Sequence, residues 1–263
     1  MAVYTCFDMI RDCREGKAAG WNYFAKNFIA PLRMLLRHYA GTADHEQLLS
    51  RLLQELRSTA DRLFARLSPM PERQFFMLLR PRVLAVTKRG EPESDPLDLE
   101  TLTAALQDYS PVERQITWLE TMEYGVPETA ALMRVSVETV ERLRRRTGEL
   151  LRARLDRWSE NLLRDSGRAL GEEAAARAPE KPLQFRDLTD LIDGRITWQA
   201  RLEVEHRLFE SWHEVDHLCR LREADAAITA SKPLEDAEVS RYRALLGGAP
   251  ERIGFWRRLT RAR

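Results

Sequence analysis

Cysteine is scarce in this chain: Cys6, Cys13 and Cys219 are the only three in 263 residues, and no two stand in a C-x-x-C spacing. A disulfide framework is therefore not expected, and Cys6 and Cys13, seven apart, are expected to share a buried helix face. Glycine and proline are sparse as well, at twelve each, and residues 6–87 contain no run of β-branched residues suited to a buried parallel strand. The fold class predicted is all-α, in a chain long enough for one to three domains with several small cores. No long hydrophobic run exists, because Asn22, Lys26, Asn27 and Arg33 interrupt the richest apolar stretch, so a membrane span is not expected. The opening MAVYTCFDMIRDCR meets Asp8, Arg11 and Asp12 before an apolar region forms, which argues against a signal peptide and for a cytoplasmic protein. A glycine-rich phosphate loop, G-x-S-x-G and H-E-x-x-H are all missing, so neither enzymatic activity nor a cofactor is expected.

What the chain does contain is a concentrated pattern of helix starts and stops in residues 110–158, SPVERQITWLETMEYGVPETAALMRVSVETVERLRRRTGELLRARLDRW. Ser110, Pro111 and Glu113 supply an N-cap hydroxyl, a proline at the first helical position and a carboxylate that can reach back to the cap, which predicts a helix start at Ser110. Ile116, Leu119 and Met122 follow at helical spacing until Gly125 and Pro127 interrupt them. Glu128, Ala130 and Leu132 then predict a short second helix, and Ser136 caps a third. On the third, Val140, Leu143, Thr147, Leu150, Leu151 and Trp158 fall on one face. Glu138, Arg142, Arg145 and Glu149 occupy the opposite face, with Arg146 and Arg152 on its flanks.

From Arg134 to Arg157 eight arginines stand against four acids, in a chain whose net charge is only +1. That local excess is the electrostatic footprint of a phosphate-contacting element. An isolated arginine run is more often a solvated helix face, but this one follows a capped helix and a short turn. Arg142 and Arg145 are candidates for guanine edges, whose paired acceptors match a forked guanidinium, and Glu138 or Glu141 for a cytosine amine. Arg144 and Arg154 sit nearer the apolar face and are expected to lay their stems across it. The predicted DNA-contacting set is Ser136, Val137, Glu138, Thr139, Glu141, Arg142, Arg145, Arg146 and Arg152.

PETAALMRVSVETVERLRRRTGELLRARL resembles the promoter-binding C-terminal helix-turn-helix of bacterial RNA polymerase sigma factors, especially the small extracytoplasmic-function group. The likeness runs through Glu128, Ala130, Leu132, Val135, Ser136, Thr139, Val140 and the arginine–leucine tail through Leu155. Response-regulator output domains of the LuxR type share much of this pattern, but their receiver needs alternating strands and helices, which residues 6–87 do not offer. One position departs from the family: Arg134 stands where the inter-helix turn usually carries glycine. A left-handed backbone is costly for a residue with a Cβ, so an altered turn is expected.

Toward the amino terminus, Gly16 to Ala19, the run Trp21, Phe24, Phe28, Leu32, Leu35 and Leu36, and the acidic, leucine-rich Asp44 to Leu56 resemble the polymerase-binding helical domain of the same family. The resemblance implies bacterial core RNA polymerase as a partner, gripped through Asp44, Glu46, Gln47 and Gln54. Gln47 and Ser50 stand where the family pattern has an acid and a glutamine. The resemblance also implies a helix within Phe64 to Lys88 that captures the melted promoter strand. There Phe75 and Phe76 either stack on unpaired bases or belong to the core, and Pro81 is expected to kink or end the helix.

Lys88 to Asp98, KRGEPESDPLD, has the composition of a tether, and a second break is expected between Gly167 and Pro182. The domains predicted are a sigma-like polymerase-binding domain at 1–87, a linker at 88–98, a helix-turn-helix domain at 99–166, a linker at 167–182 and a small helical domain with a basic tail at 183–263. Within the last, Leu188 to Asp225 resembles a small anti-sigma domain that often carries zinc, through Leu188, Leu191, Asp193, Gly194, Val204, Glu205 and Leu208. Arg207, Ser211 and Glu214 occupy the positions of its histidine and two cysteines, so no metal is expected, and the core would be Leu191, Ile196, Trp198, Leu202, Leu208 and Trp212. A rival metal reading uses His213, His217 and Cys219, since i, i+4 histidines share a helical face, though no further ligands are spaced for it. Tethered behind the DNA-binding helices, such a domain is expected to regulate the chain by occluding its DNA face, or else to recruit another protein. The arginine-rich tail from Ile253 has three candidate resting places: DNA, an acidic partner and the chain's own helices.

The function this resemblance implies is that of a transcription initiation factor that binds promoter DNA and directs RNA polymerase to it. Two alternatives stand beside it: a helix-turn-helix regulator that needs no polymerase, and a sigma-like adaptor whose helices bind proteins.

Overall fold

The computed structural model describes residues 3–59, 63–64, 70–87, 96–159 and 161–246. Among these residues are fourteen α-helices and no strand, as the scarcity of β-branched runs predicts. None of the described helices is long and apolar enough to cross a membrane. The chain divides into two compact units, Met1–Arg89 with Ala227–Arg263, and Gly90–Ala226.

The first unit contains α1 (Cys6–Arg14), α2 (Ala18–Ala40), α3 (His45–Ser58) and α4 (Glu72–Val86). A capping box of Thr5 and Asp8 starts α1, and Cys6, Met9, Ile10 and Cys13 are buried along it. The two thiols thus share a buried face, and burial pushes the Cys6 thiol up to about 12. Helices α1 and α2 cross closely: a Cβ at Gly20 would lie 2.6 Å from the Cys13 amide nitrogen, so only glycine fits. The core beneath them is aromatic. Phe28 packs edge-on against Phe75 with centroids 5.1 Å apart and stacks on Phe24 at 5.6 Å.

Phe75 and Phe76 are fully buried, which removes them from any role in stacking on bases. Of the two outcomes expected at Pro81, an end does not occur: the helix runs on through it to Val86, held by the same buried face. Proline in a helix interior costs about 3 kcal/mol, but Phe75, Phe76 and Leu79 before it and Val83 after it are all buried.

The second unit holds α5 (Leu99–Ala105), α6 (Pro111–Thr121), α7 (Val126–Met133), α8 (Val137–Arg154), α9 (Leu162–Asp165), α10 (Gly167–Ala176), α11 (Phe185–Ile192) and α12 (Trp198–Glu210). The division between units falls within α13 (Trp212–Ala230), and α14 (Asp236–Leu245) belongs to the first unit.

Helix α6 is enclosed almost all round, with Glu113 through Leu119 and Thr121 buried. Trp212 at the start of α13 stacks on Trp118, centroids 5.4 Å apart, and the Arg114 guanidinium lies over the rings of Phe209 and Trp212 at 5.0 and 4.8 Å. Asp216 accepts a hydrogen bond from the Trp118 indole nitrogen at 3.0 Å. The boundary expected at residue 183 is therefore not one between compact units: residues 183–226 fall in the same unit as α6, on which Phe209, Trp212 and Asp216 pack.

The linker expected at 167–182 is helical through Ala176, with Leu170 and Ala174 buried. Gly167 serves close approach there rather than a break, since a Cβ would lie 2.0 Å from the Thr121 carbonyl oxygen. Residues 88–95 of the other expected linker, and the basic tail from Ile253, lie outside the described residues.

The expected C-terminal core is also redrawn. Leu208 and Trp212 are buried and Leu191 and Ile196 half-buried, while Trp198 and Leu202 are 72% and 48% exposed. Arg207, at an expected zinc position, donates to the Lys181 carbonyl and lies 3.6 Å from the fully buried Glu214. The rings of His213 and His217 are 6.3 Å apart, and the Cys219 thiol faces the Gln115 carbonyl. Among the described residues no cluster of three or more His, Cys, Asp or Glu is placed to hold a metal.

Candidate nucleic-acid interface

Three local stops and starts set the bounds of α6, α7 and α8, the helices expected to form a helix-turn-helix. Ser110 caps α6, its hydroxyl accepting from the Glu113 amide at 3.3 Å while the Glu113 carboxylate accepts from the Ser110 amide at 2.9 Å. The other Glu113 oxygen accepts from Arg146 of α8 at 2.7 Å, so the capping carboxylate also fastens the third helix to the first. Helix α7 ends with Arg134 in the left-handed region, φ 56° and ψ 44°. The Arg134 amide donates to the Ala131 carbonyl and the Val135 amide to the Ala130 carbonyl, the paired bonds of a Schellman turn. The turn is therefore not altered by the arginine: the side chain is carried in the conformation usually given to glycine, and its guanidinium donates to the Ile192 carbonyl at 3.0 Å. Ser136 then caps α8, accepting from the Thr139 amide at 3.2 Å.

The apolar seam of α8 follows the expected face. Val140, Thr147 and Leu151 are buried, and Leu143, Leu150 and Trp158 are half-buried. Thr147 accepts from the Tyr109 hydroxyl at 3.0 Å and donates to the Leu143 carbonyl, which fixes the depth of α8 against the unit. Arg144 points inward as expected, donating to the Tyr124 carbonyl at 2.6 Å and the Thr129 hydroxyl at 2.8 Å. Its Nε is buried without a hydrogen bond, 3.6 Å from a Glu120 oxygen. Burial lowers the Arg144 value and raises that of Glu120; at this separation their attraction does not offset the loss of water on either side.

On the opposite face, Ser136, Val137, Glu138, Glu141, Arg142, Arg145, Arg146 and Arg152 are exposed and Thr139 half-buried. The four cations of that face are not equivalent. Arg146 is held by Glu113 and lies over the Tyr109 ring at 5.5 Å, so its head is tied into the protein. Arg152 lies over the Trp158 ring at 5.9 Å. Arg154, outside the expected set, donates to the carbonyls of Ala104 and Ala105 at the end of α5. Arg142 and Arg145 make no hydrogen bond, ion pair or ring contact among the described residues. Val137 offers an apolar surface, 40% exposed, at the leading end of the helix, and Glu138 is held below its ordinary value by its own amide and the Ser136 hydroxyl. Residues 183–226 reach the turn at Arg134 but leave this face exposed, so they do not occlude it.

The four residues expected to grip polymerase separate in a similar way. Asp44 is the N-cap of α3, its carboxylate accepting from the amides of Glu46 and Gln47 at 3.0 and 3.1 Å. Glu46 is not a free surface acid: it accepts from Arg33 at 3.0 Å and from the Tyr242 hydroxyl of α14 at 2.8 Å. Gln47 and Gln54 remain exposed, seven residues apart on α3.

Sequence reasoning missed the part played by Gln115, Arg222 and Glu223. Arg222 donates to the Gln115 side chain at 3.0 Å and to the Leu132 carbonyl at 3.1 Å. Glu223 accepts from the Tyr124 hydroxyl at 2.7 Å. An arginine–glutamate pair inside a charged, half-apolar helix gives no sequence signal of such a role. Compared with known families, curated proteins and solved structures, the chain matches none of them.

Proposed function

We propose that this chain is a DNA-binding transcription factor whose α8 enters the major groove, and more specifically that it is a divergent sigma-type initiation factor that brings RNA polymerase to promoters. The observation that carries the DNA reading is the division of labour among the arginines of α8. Arg144, Arg146, Arg152 and Arg154 have partners inside the protein, whereas Arg142 and Arg145, three residues apart, are exposed with none among the described residues. A forked guanidinium left unpaired on a rigid helix suits the paired acceptors of guanine. Val137 supplies an apolar contact for a thymine methyl, and Ser136 and Thr139 supply hydroxyls near the leading end.

The sigma-type reading rests on the resemblance together with Gln47 and Gln54 on the open face of α3. Core polymerase added to the full chain should co-elute with it, and Gln47→Lys with Gln54→Lys should abolish co-elution while leaving DNA affinity unchanged. Absence of co-elution by the wild-type chain would reject the sigma-type reading and leave a helix-turn-helix regulator that acts without polymerase. The engagement of Glu46 by Arg33 and Tyr242 favours that second reading.

A further inference from the structure

We infer that α13 positions the DNA-reading helix by clamping both turns of the helix-turn-helix, with Arg222 and Glu223 as its positioning residues. The inference rests on the proposal that α8 reads DNA, but the geometry that carries it lies in α13 and the two turns.

The last carbonyls of a helix have no partner within the helix and must find one outside it. In α7 the Ala130 and Ala131 carbonyls are satisfied by the Val135 and Arg134 amides of the turn. The Leu132 carbonyl is satisfied by Arg222, reaching in from α13. The same guanidinium holds Gln115 on α6 through its Nε, so a single side chain spans the first and second helices at the turn that launches the third.

The neighbouring residue of α13 holds the other turn. Buried Glu223 accepts from the Tyr124 hydroxyl, and the Tyr124 carbonyl accepts from Arg144 of α8. The path from α13 to the reader therefore contains two hydrogen bonds and one tyrosine ring. A third contact closes the arrangement: Arg134, in its left-handed conformation, donates to the Ile192 carbonyl and lies 3.6 Å from an Asp225 oxygen. Residues 192, 222, 223 and 225 thus meet the two turns on either side of α7, while the exposed face of α8 stays open. A contact placed this way sets the angle of the reader without touching the nucleic acid. Such an angle matters because specific base contacts need their geometry held to a fraction of an ångström.

The test uses the full chain and the DNA duplex it selects from a random pool. Glu223→Ala and Arg222→Met should each lower the ratio of specific to non-specific affinity at least tenfold, with the salt dependence of non-specific binding unchanged, because the arginines of α8 remain in place. Glu223→Gln keeps an acceptor for the Tyr124 hydroxyl and should restore most of the ratio. Independently of DNA, amide exchange should accelerate at residues 134–139 and along the first turns of α8 in Glu223→Ala, and not in Glu223→Gln. Unchanged exchange and an unchanged ratio in both Glu223→Ala and Arg222→Met would overturn the clamp, and so would equal loss in Glu223→Gln and Glu223→Ala. If the wild-type chain selects no duplex, the DNA reading fails, and the exchange measurement alone decides whether α13 orders the turns.

Discussion

Replacing Arg134 separates the two things this residue does, because strain and tether respond to different substitutions. Arg134→Ala keeps the Cβ and its left-handed backbone but deletes the bond to the Ile192 carbonyl and the 3.6 Å contact with Asp225. A part-exposed hydrogen bond of this kind is worth about 0.5–1.5 kcal/mol, and the solvated ion pair adds little. Arg134→Gly deletes the same contacts and relieves the backbone. A left-handed conformation costs a residue with a Cβ about 1–2 kcal/mol, offset by about 0.4–1 kcal/mol of extra freedom that glycine gives the unfolded chain. The alanine variant should therefore be about 1 kcal/mol less stable than wild type, and the glycine variant about 0.5–1 kcal/mol more stable than the alanine variant. Urea unfolding followed by tryptophan fluorescence reads this through Trp118 and Trp212, which stack in the second unit. With a slope of about 2 kcal/mol per molar, the glycine midpoint should lie roughly 0.25–0.5 M above the alanine midpoint. A glycine midpoint at or below the alanine one would refute the left-handed assignment.

Three further outcomes follow from the packing. Asp44→Ala should cost about 1 kcal/mol through the lost cap of α3, read as a lower thermal midpoint. Glu46 is held below its ordinary value, with burial opposing and Tyr242 and Arg33 prevailing. Its stabilising share is therefore present above the ordinary carboxylate range and lost as pH falls through the lowered folded value, so stability should fall more steeply with acidification in wild type than in Glu46→Gln; parallel curves would contradict the network. All three cysteines are buried, so a thiol reagent should label them only on unfolding, and rapid labelling of the folded chain would contradict the packing of α1 and α13.

The parts legible in the sequence were those decided within a few residues. Ser110 and Ser136 announce their helices because a cap is a local hydrogen bond, and the seam Val140, Thr147 and Leu151 is a local period. Arg134 was legible as an anomaly, but not in its resolution, since the Ile192 carbonyl that receives its guanidinium is 58 residues away. Gly167 and Pro81 misled for the same reason. A glycine demanded by the Thr121 carbonyl looks like a break, and a proline set between buried Leu79 and Val83 looks like an end, until the neighbours are known. Glu46 read as an exposed acid because its partner Tyr242 lies 196 residues on. The role of α13 was hidden most completely: its buried Asp216, Glu223 and Asp225 have the composition of a solvated helix.

On the proposed function, α8 reads DNA through Arg142 and Arg145, the two arginines of that helix with no partner among the described residues. Affinity of the full chain for its selected duplex, measured beside a scrambled duplex at fixed salt, tests it most directly. Arg142→Ala and Arg145→Ala should each weaken specific binding by about 1–3 kcal/mol and relax specificity at one base pair. The scrambled duplex should be bound nearly as well as before by either variant. If the double variant Arg142→Ala, Arg145→Ala, shown to be folded, still binds the selected duplex as tightly as wild type, α8 is not the reader.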